Sequence, residues 1–324
     1  MGYEKIYNTM MVVFAEDLEA NGDRSYITDL TIISIKSLIP SKEYVKVNID
    51  YNRYNEEIKL WKYYRNGDNT SLLNLFQNID SKVYWEEKDD SVYSRTLPIV
   101  VVNRDFNDIR EEIIKNLLFT TGNIETLIET ILISKMIFLL INDSKNIVEQ
   151  LKEEIINFSQ VEFERNYAKY YRISTSEYRK NYTIDFEQKK IFALNLLNFS
   201  TSPGFNILKD CLDVLFSNGI GKTTMGKCVK VLLDNDTKEI SIENYYKKLI
   251  SYLLNLRNGK IAPETLEIEK YYLPDIFQFN EGEMFYHSIL NKCLVIKKEE
   301  IGNNTIVDLD TKSGMYKFKK TNLL

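Results

Sequence analysis

Five prolines and twelve glycines are all that punctuate a chain of 324 residues. Proline is the residue a helix interior tolerates least, because it lacks an N–H and its ring strikes the carbonyl one turn back. A sandwich of short strands needs a turn signal roughly every 8–12 residues. Punctuation this sparse argues against such a sandwich and for many helices. Hydrophobic residues make up 44% and charged residues 27%, the balance of an ordinary folded protein. That balance excludes a disordered chain and a collagen-like repeat. The length suits one large domain or two ordinary ones, since domains run to roughly 100–200 residues.

The net charge is −5. An electrostatic grip on nucleic acid needs a basic surface, so nucleic acid is not the expected partner. Cys211, Cys228 and Cys293 are too few and too far apart for a disulfide framework, and with no CxxC pair a zinc ribbon is excluded. The single histidine, His287, leaves no multi-histidine metal site. A metal would sit among oxygen ligands, the preference of Mg²⁺ or Ca²⁺. Residues 1–8 are polar, which does not read as a signal peptide. The longest apolar run, residues 131–141, is broken by Ser134 and Lys135 and falls short of the about 20 apolar residues a bilayer span requires. The expectation is a cytoplasmic protein without a membrane segment.

Helical spacing of apolar residues recurs along the first 258 residues. The spacing predicts helices over 26–39, stopped by Pro40, and over 52–64, with Leu60, Trp61 and Tyr64 on one side. A polar loop over 86–93 leads into Arg95-Thr96-Leu97-Pro98 and a short apolar run. Asp105 reads as the N-cap of a helix over 106–119. Residues 124–141 are apolar nearly all round in their second half, so that helix is expected to be the most buried. Helical segments follow over 145–171, 186–198, 206–216, 224–233 and 242–256. The last forty residues change character: 293–297, 305–310 and 315–319 are β-branched or aromatic and separated by Gly302-Asn303-Asn304 and Ser313-Gly314. They read as a three-stranded meander. The expected organisation is a helical domain over 1–280 and a small β appendage over 281–324. His287, just before the meander, reads as a surface or packing residue.

Two signals bear on chemistry. Gly219-Ile220-Gly221-Lys222-Thr223-Thr224 resembles the tail of a phosphate-binding loop, but its first glycine position is Phe216 and the preceding segment is helical. A helix–turn–helix with glycines in the turn is the simpler reading. Carboxylates beside hydroxyls occur at Thr28-Asp29 and at Asp234-Asn235-Asp236-Thr237, with Glu16-Asp17 upstream. Two such places could meet around a hard cation. Each is also an ordinary helix cap or turn.

The order of these segments resembles the ADP-ribosylglycohydrolases, enzymes related to dinitrogenase reductase-activating glycohydrolase. Three stretches carry the resemblance: residues 10–19 with Thr28-Asp29-Leu30-Thr31; Ser94-Arg95-Thr96-Leu97-Pro98 with the helices to 141; and 245–256 with Ile261-Ala262-Pro263. They look like the family's opening Gly-Asp helix and Thr-Asp-Asp-Thr, its Met-Arg-x-x-Pro loop with the helices after it, and its last core helix. The resemblance covers about residues 5–270. It implies an all-α fold with a cleft holding two Mg²⁺ ions that position ADP-ribose and water, so that an N-glycosidic bond is cut. Carried over, Asp29 and Asp236 would be catalytic. Thr28, Asp29, Asp234, Asp236 and Thr237 would hold metal, and Asp17, Arg95 and Glu243 would touch the ligand.

The motifs depart from the family. The second aspartate of the first motif is Leu30, which removes an oxygen ligand. Family spacing back from Pro263 lands on Ser241-Ile242-Glu243-Asn244, where Glu243 is the only carboxylate. Mg²⁺ demands near-ideal octahedral geometry, so such a site holds it weakly or not at all. The resemblance with these losses implies a degenerate member, a pseudoenzyme binding ADP-ribose, an ADP-ribosylated protein, or a protein partner through the β appendage. An active Mg²⁺-dependent hydrolase and an inhibitor or scaffold with no small ligand are the alternatives.

Overall fold

The computed structural model describes residues 2–42, 45–77, 79–158, 160–217, 219–234 and 243–321. Most of the described chain is helical. α1 (Gly2–Asn21) and α2 (Tyr26–Ser37) are followed by the two-stranded antiparallel pair β1 (Leu38–Pro40) and β2 (Val47–Ile49). The helix expected to run to residue 39 therefore stops at Ser37, because Leu38 and Ile39 turn extended to pair with β2 ahead of Pro40. Next come α3 (Tyr51–Trp61), α4 (Thr70–Leu73), α5 (Ser81–Glu86), α6 (Val92–Val102), α7 (Phe106–Leu118) and α8 (Ile124–Ile141). The helical part closes with α9 (Ile147–Asn157), α10 (Gln160–Tyr167), α11 (Tyr182–Leu197), α12 (Asn206–Ser217), α13 (Thr224–Leu233) and α14 (Asn244–Arg257).

Side-chain caps start these helices where the sequence places Asp or Asn before an apolar run. Asp50, Asp80, Asp105 and Asn123 each accept from backbone N–H groups of the first turn of α3, α5, α7 and α8. The segment 94–98, which the resemblance equates with a loop, lies inside helix α6, which starts at the end of the loop expected over 86–93, and α6 rather than α8 is buried along its whole length. Pro98 inside a helix costs ~3 kcal/mol or more. Here the cost is offset because every side chain from Val92 to Val102 is buried, packed between α2, α7, α8 and α14.

The C-terminal sheet has four strands rather than the expected three: β3 (Met284–His287), β4 (Asn291–Ile301), β5 (Asn304–Thr311) and β6 (Gly314–Thr321), antiparallel in the order β3-β4-β5-β6. β3 escapes the sequence pattern because its exposed residues, Met284 and Tyr286, are themselves apolar or aromatic, so no polar–apolar alternation marks the strand although its burial alternates. The inner face carries Val295, Val307, Leu309, Tyr316 and Phe318 in a second apolar core with Ile276, Ile289 and Leu290. Leu60, Tyr63 and Tyr64, at the end of α3 and just after it, pack against that core. The sheet is pinned there by the Lys319 N–H, which donates to the Tyr63 carbonyl at 2.7 Å.

Candidate functional site

The turn between α1 and α2 holds the residues of the opening motif. Asp17 ends its helix with its carboxylate turned to the start of α2. It accepts from Ser25 N at 2.8 Å, Thr28 N at 3.3 Å and Asn21 Nδ2 at 2.9 Å. Unsatisfied N–H groups at a helix start attract a carboxylate, so Asp17 acts as an extra cap of α2. That saturates the group read as ligand-binding.

Asp29 lies one turn into α2 and is 3% exposed. Its Oδ2 accepts from Trp61 Nε1 at 3.1 Å, and its Oδ1 lies 3.2 Å from Arg24 Nε. Burial pushes its carboxyl up to about 6, against the pull of Arg24 and Trp61. The Arg24 guanidinium in turn lies 5.2 Å from the centre of the Tyr316 ring on β6. Tyr316 packs edge-on against Tyr64, with ring centres 4.9 Å apart. The end of the chain thus sits over its beginning.

These residues do not fit a dimetal centre. A carboxylate ligand must face the ion, and each oxygen of Asp29 faces a donor of the chain instead, Oδ2 the Trp61 indole and Oδ1 the Arg24 guanidinium. Leu30 is fully buried, and Thr31 Oγ1 donates to the Ile27 carbonyl at 2.8 Å. Thr28 Oγ1 is buried without a hydrogen-bond partner among the described residues. Asp234 stands on the exposed end of α13 beside Lys230, 3.5 Å away. Asp236 and Thr237, read as metal-binding, lie outside the described residues. Among the described residues no group of three or more His, Cys, Asp or Glu side chains converges as a metal site requires.

Arg95 is 0% exposed and fully engaged. Its Nε donates to Asn116 Oδ1 at 2.9 Å, its NH2 group to Thr120 Oγ1 at 2.7 Å, and its NH1 group to Asp89 and to Ser91 Oγ. The reading of Arg95 as a ligand contact gives way to a structural one: α6 turns it into the core, where it joins three elements. The phosphate-loop look-alike is structural as well. Asp210 accepts from Lys222 N at 3.0 Å and from Thr223 N at 2.7 Å, so a carboxylate of the chain holds the amides a phosphate would need.

The open space lies beside Arg24, between the helices and the sheet. A cavity of about 710 Å³ is lined by Arg24, Tyr64, Glu243, Tyr245, Lys317 and Lys319 among others. Glu243 is the one ligand-contact reading that the fold leaves facing a cavity; it is exposed at the start of α14. A smaller cavity, about 330 Å³, lies across the molecule beside Trp85, Tyr178 and Glu125. Glu125 is held there by Lys88, by Lys189 at 2.6 Å and by Phe205 N at 3.1 Å.

Sequence reasoning missed Arg24 and Tyr316. Arg24 follows an acidic stretch ending at Asp23 and belongs to no motif. Tyr316 was one residue of an appended strand, with nothing to tie it to residue 24. Trp61 is fully buried, and Tyr64 packs between the helical core and the core of the sheet.

Fold and site together define a mostly helical protein with a C-terminal four-stranded sheet locked over the start of α2. No protein-family model matches the chain, and no curated protein sequence matches it. No helix of the described residues is long and apolar enough to cross a membrane.

Proposed function

We propose that the chain is a degenerate ADP-ribosylglycohydrolase-like protein that recognises an ADP-ribose-type ligand without hydrolysing it. One observation carries the reading. Arg24 stands beside Asp29 as its counter-charge, where the resemblance would put a divalent ion. A dimetal hydrolase clamps the attacking and leaving oxygens between its ions and lowers the pKa of bound water. A guanidinium neutralises the carboxylate but has no open coordination position for water. The cleft beside it keeps the groups that suit a nucleotide-type ligand: cationic side chains and tyrosine rings around a space of ligand size.

The test is calorimetric titration of the full chain with ADP-ribose, with and without millimolar Mg²⁺, beside an assay for release of ADP-ribose from ADP-ribosyl-arginine. Binding indifferent to Mg²⁺ and no release is the expected pair. Mg²⁺-dependent binding or measurable release sinks the reading in favour of an active hydrolase.

A second reading, a protein partner on the appendage, is favoured by β3. Among the described residues this strand pairs with β4 alone, and Met284 and Tyr286 are 63% and 54% exposed. Free strand edges accept further strands. Its test is a protein retained by the chain and lost by the Met284→Lys, Tyr286→Lys double variant.

A further inference from the structure

The seam between the turn after α3 and strand β6 gathers positive charge on an acidic chain. We infer that this seam binds a small anion carrying two or more phosphoryl groups, away from Asp29. The inference deepens the recognition reading above by naming what is recognised and where.

One end of the seam is a depression of about 660 Å³ lined by Lys62, Arg65, Lys319 and Lys320. Asp68 is the only carboxylate among its lining residues, and it is taken by Arg65 Nε at 3.0 Å. Tyr63, Arg65 and Lys319 also line the cavity beside Arg24, so the two spaces adjoin. That end adds Lys312 and Lys317. Arg24 and Lys320 are paired, with Asp29 and Asp275. Lys62, Lys312, Lys317 and Lys319 have no ion-pair partner among the described residues, although Asp308 faces Lys317 across the β5–β6 register. Like charges brought together repel, and a chain of net charge −5 had carboxylates to spare for them. An anion in the seam removes that cost.

The seam is built, not incidental. Its cations come from residues 62–65 and 312–320, and the bond from Lys319 N to Tyr63 O fixes the two segments together. Lys317 and Lys319 alternate with buried Tyr316 and Phe318, so strand pleating puts both ammonium groups on one side.

The ligand class follows from the charges. Lysines are point charges without the planar fork that reads a carboxylate, and several together match a multiply charged phosphoryl group. The ligand is small because each depression is of small-molecule size. Asp23 and Glu243 line it too, and they and the negative remainder of the surface repel a long polyanion.

The experiment titrates the full chain with inorganic pyrophosphate and with ADP at low and high salt, and repeats this with Lys62→Glu, Lys319→Glu and with Lys145→Glu as control. All three lysines are exposed, so folding is retained and is checked by thermal melting. Salt-sensitive binding is expected in the wild type and the control, weakened about tenfold or more by the double variant. No binding of either probe at millimolar concentration overturns the inference. So does unchanged affinity in the double variant, or retention of single-stranded DNA without pyrophosphate binding. Failure here leaves the non-hydrolytic reading standing, whereas ADP-ribose release sinks that reading whatever pyrophosphate does.

Discussion

Arg24 Nε lies 3.2 Å from Asp29 Oδ1, and this pair joins the first helical turn of α2 to the last strand of the chain through Tyr316. Asp29 is buried while Arg24 is 24% exposed. Removing the cation leaves a buried carboxylate with no counter-charge, held only by neutral donors, the Trp61 indole and the Asn66 backbone. A fully buried pair broken in this way costs about 3–5 kcal/mol, and the partial exposure of Arg24 reduces that to about 1–3 kcal/mol for Arg24→Ala. Urea denaturation near neutral pH measures it. A change within about 0.5 kcal/mol, typical of a surface substitution, means the pair is ornamental and the non-hydrolytic reading loses its support.

Asp29 also writes a pH signature. Its carboxyl ordinarily titrates at 3.8, and burial raises it to about 6 in the fold. The folded state then holds a proton that the unfolded chain has released. The stability this contributes is complete below 3.8 and is lost as the pH rises through 6. Two pKa units correspond to about 3 kcal/mol. Asp29→Asn removes the titration, so the wild type gains about 2–3 kcal/mol on the variant between about pH 7.5 and pH 4. A pH-independent difference between their denaturation midpoints refutes the assignment.

His287 pulls the other way in nearly the same window. It is 3% exposed at the end of β3, and its Nδ1 accepts from Ile289 N at 3.2 Å. Burial, with Lys36 adding to it, lowers the imidazole from 6.5 to about 4. A depressed group contributes stability above 6.5 and loses it as the pH falls through 4. His287→Asn keeps an acceptor near Nδ1 but does not titrate there. Relative to it the wild type weakens by up to about 3 kcal/mol on acidification from about pH 7 to pH 4. The net acid response of the wild type is a difference of opposing slopes, so only variant-minus-wild-type curves separate Asp29 from His287.

Arg95 and Asp89 are both 0% exposed. Burial alone raises the Asp89 carboxyl, but Arg95 and the hydroxyl of Ser91 outweigh it and hold the group below its ordinary value. Breaking the pair from either side leaves an uncompensated interior charge. Arg95→Ala and Asp89→Ala each cost about 3–5 kcal/mol. Because each removes the other's partner, the double variant falls short of the sum by about 1–3 kcal/mol in a denaturation cycle. Strict additivity contradicts the pairing. Arg95→Lys does not rescue, since an ammonium cannot reach Asn116, Thr120 and Asp89 from one plane.

What the sequence carried was local. Caps such as Asp105 and Asn123, the amphipathic faces of α7 and α14, and the alternation of Val307 and Leu309 each depend on neighbours a few residues away, and all were readable. The helix α6 was not readable because it carries Pro98 and is held by burial among the surrounding helices, which no window of sequence displays. β3 was silent because its outward residues, Met284 and Tyr286, are as apolar or aromatic as the inward Phe285, so the sequence shows no polar–apolar alternation. The site failed for a third reason. Thr28-Asp29 announced a carboxylate beside a hydroxyl, but its role is set by Arg24, Trp61 and Tyr316. Two of those partners lie tens to hundreds of residues away, and the nearest, Arg24, sat in an acidic stretch.

The turn at Gly219-Ile220-Gly221-Lys222-Thr223-Thr224 shows how a motif resembles function through shared physics. Phosphate loops need glycine so that backbone amides can approach an anion. Here Gly221 adopts φ +74°, and a Cβ on it would come within 2.7 Å of the Gly226 backbone. The close approach is between α12, its turn and α13, and the anion is Asp210. Its carboxylate accepts from Lys222 N, Thr223 N and Thr223 Oγ1, the last at 2.7 Å. Thr223 then caps α13 through its own hydroxyl, which accepts from Gly226 N at 3.0 Å. Asp210→Ala removes this chain of acceptors and costs about 1–2 kcal/mol, the range of a lost cap. Asp210→Asn retains one acceptor oxygen and recovers most of the loss, which side-chain volume alone does not explain against Asp210→Leu. Equal midpoints for the Asn and Leu variants in urea denaturation point instead to packing as what Asp210 supplies.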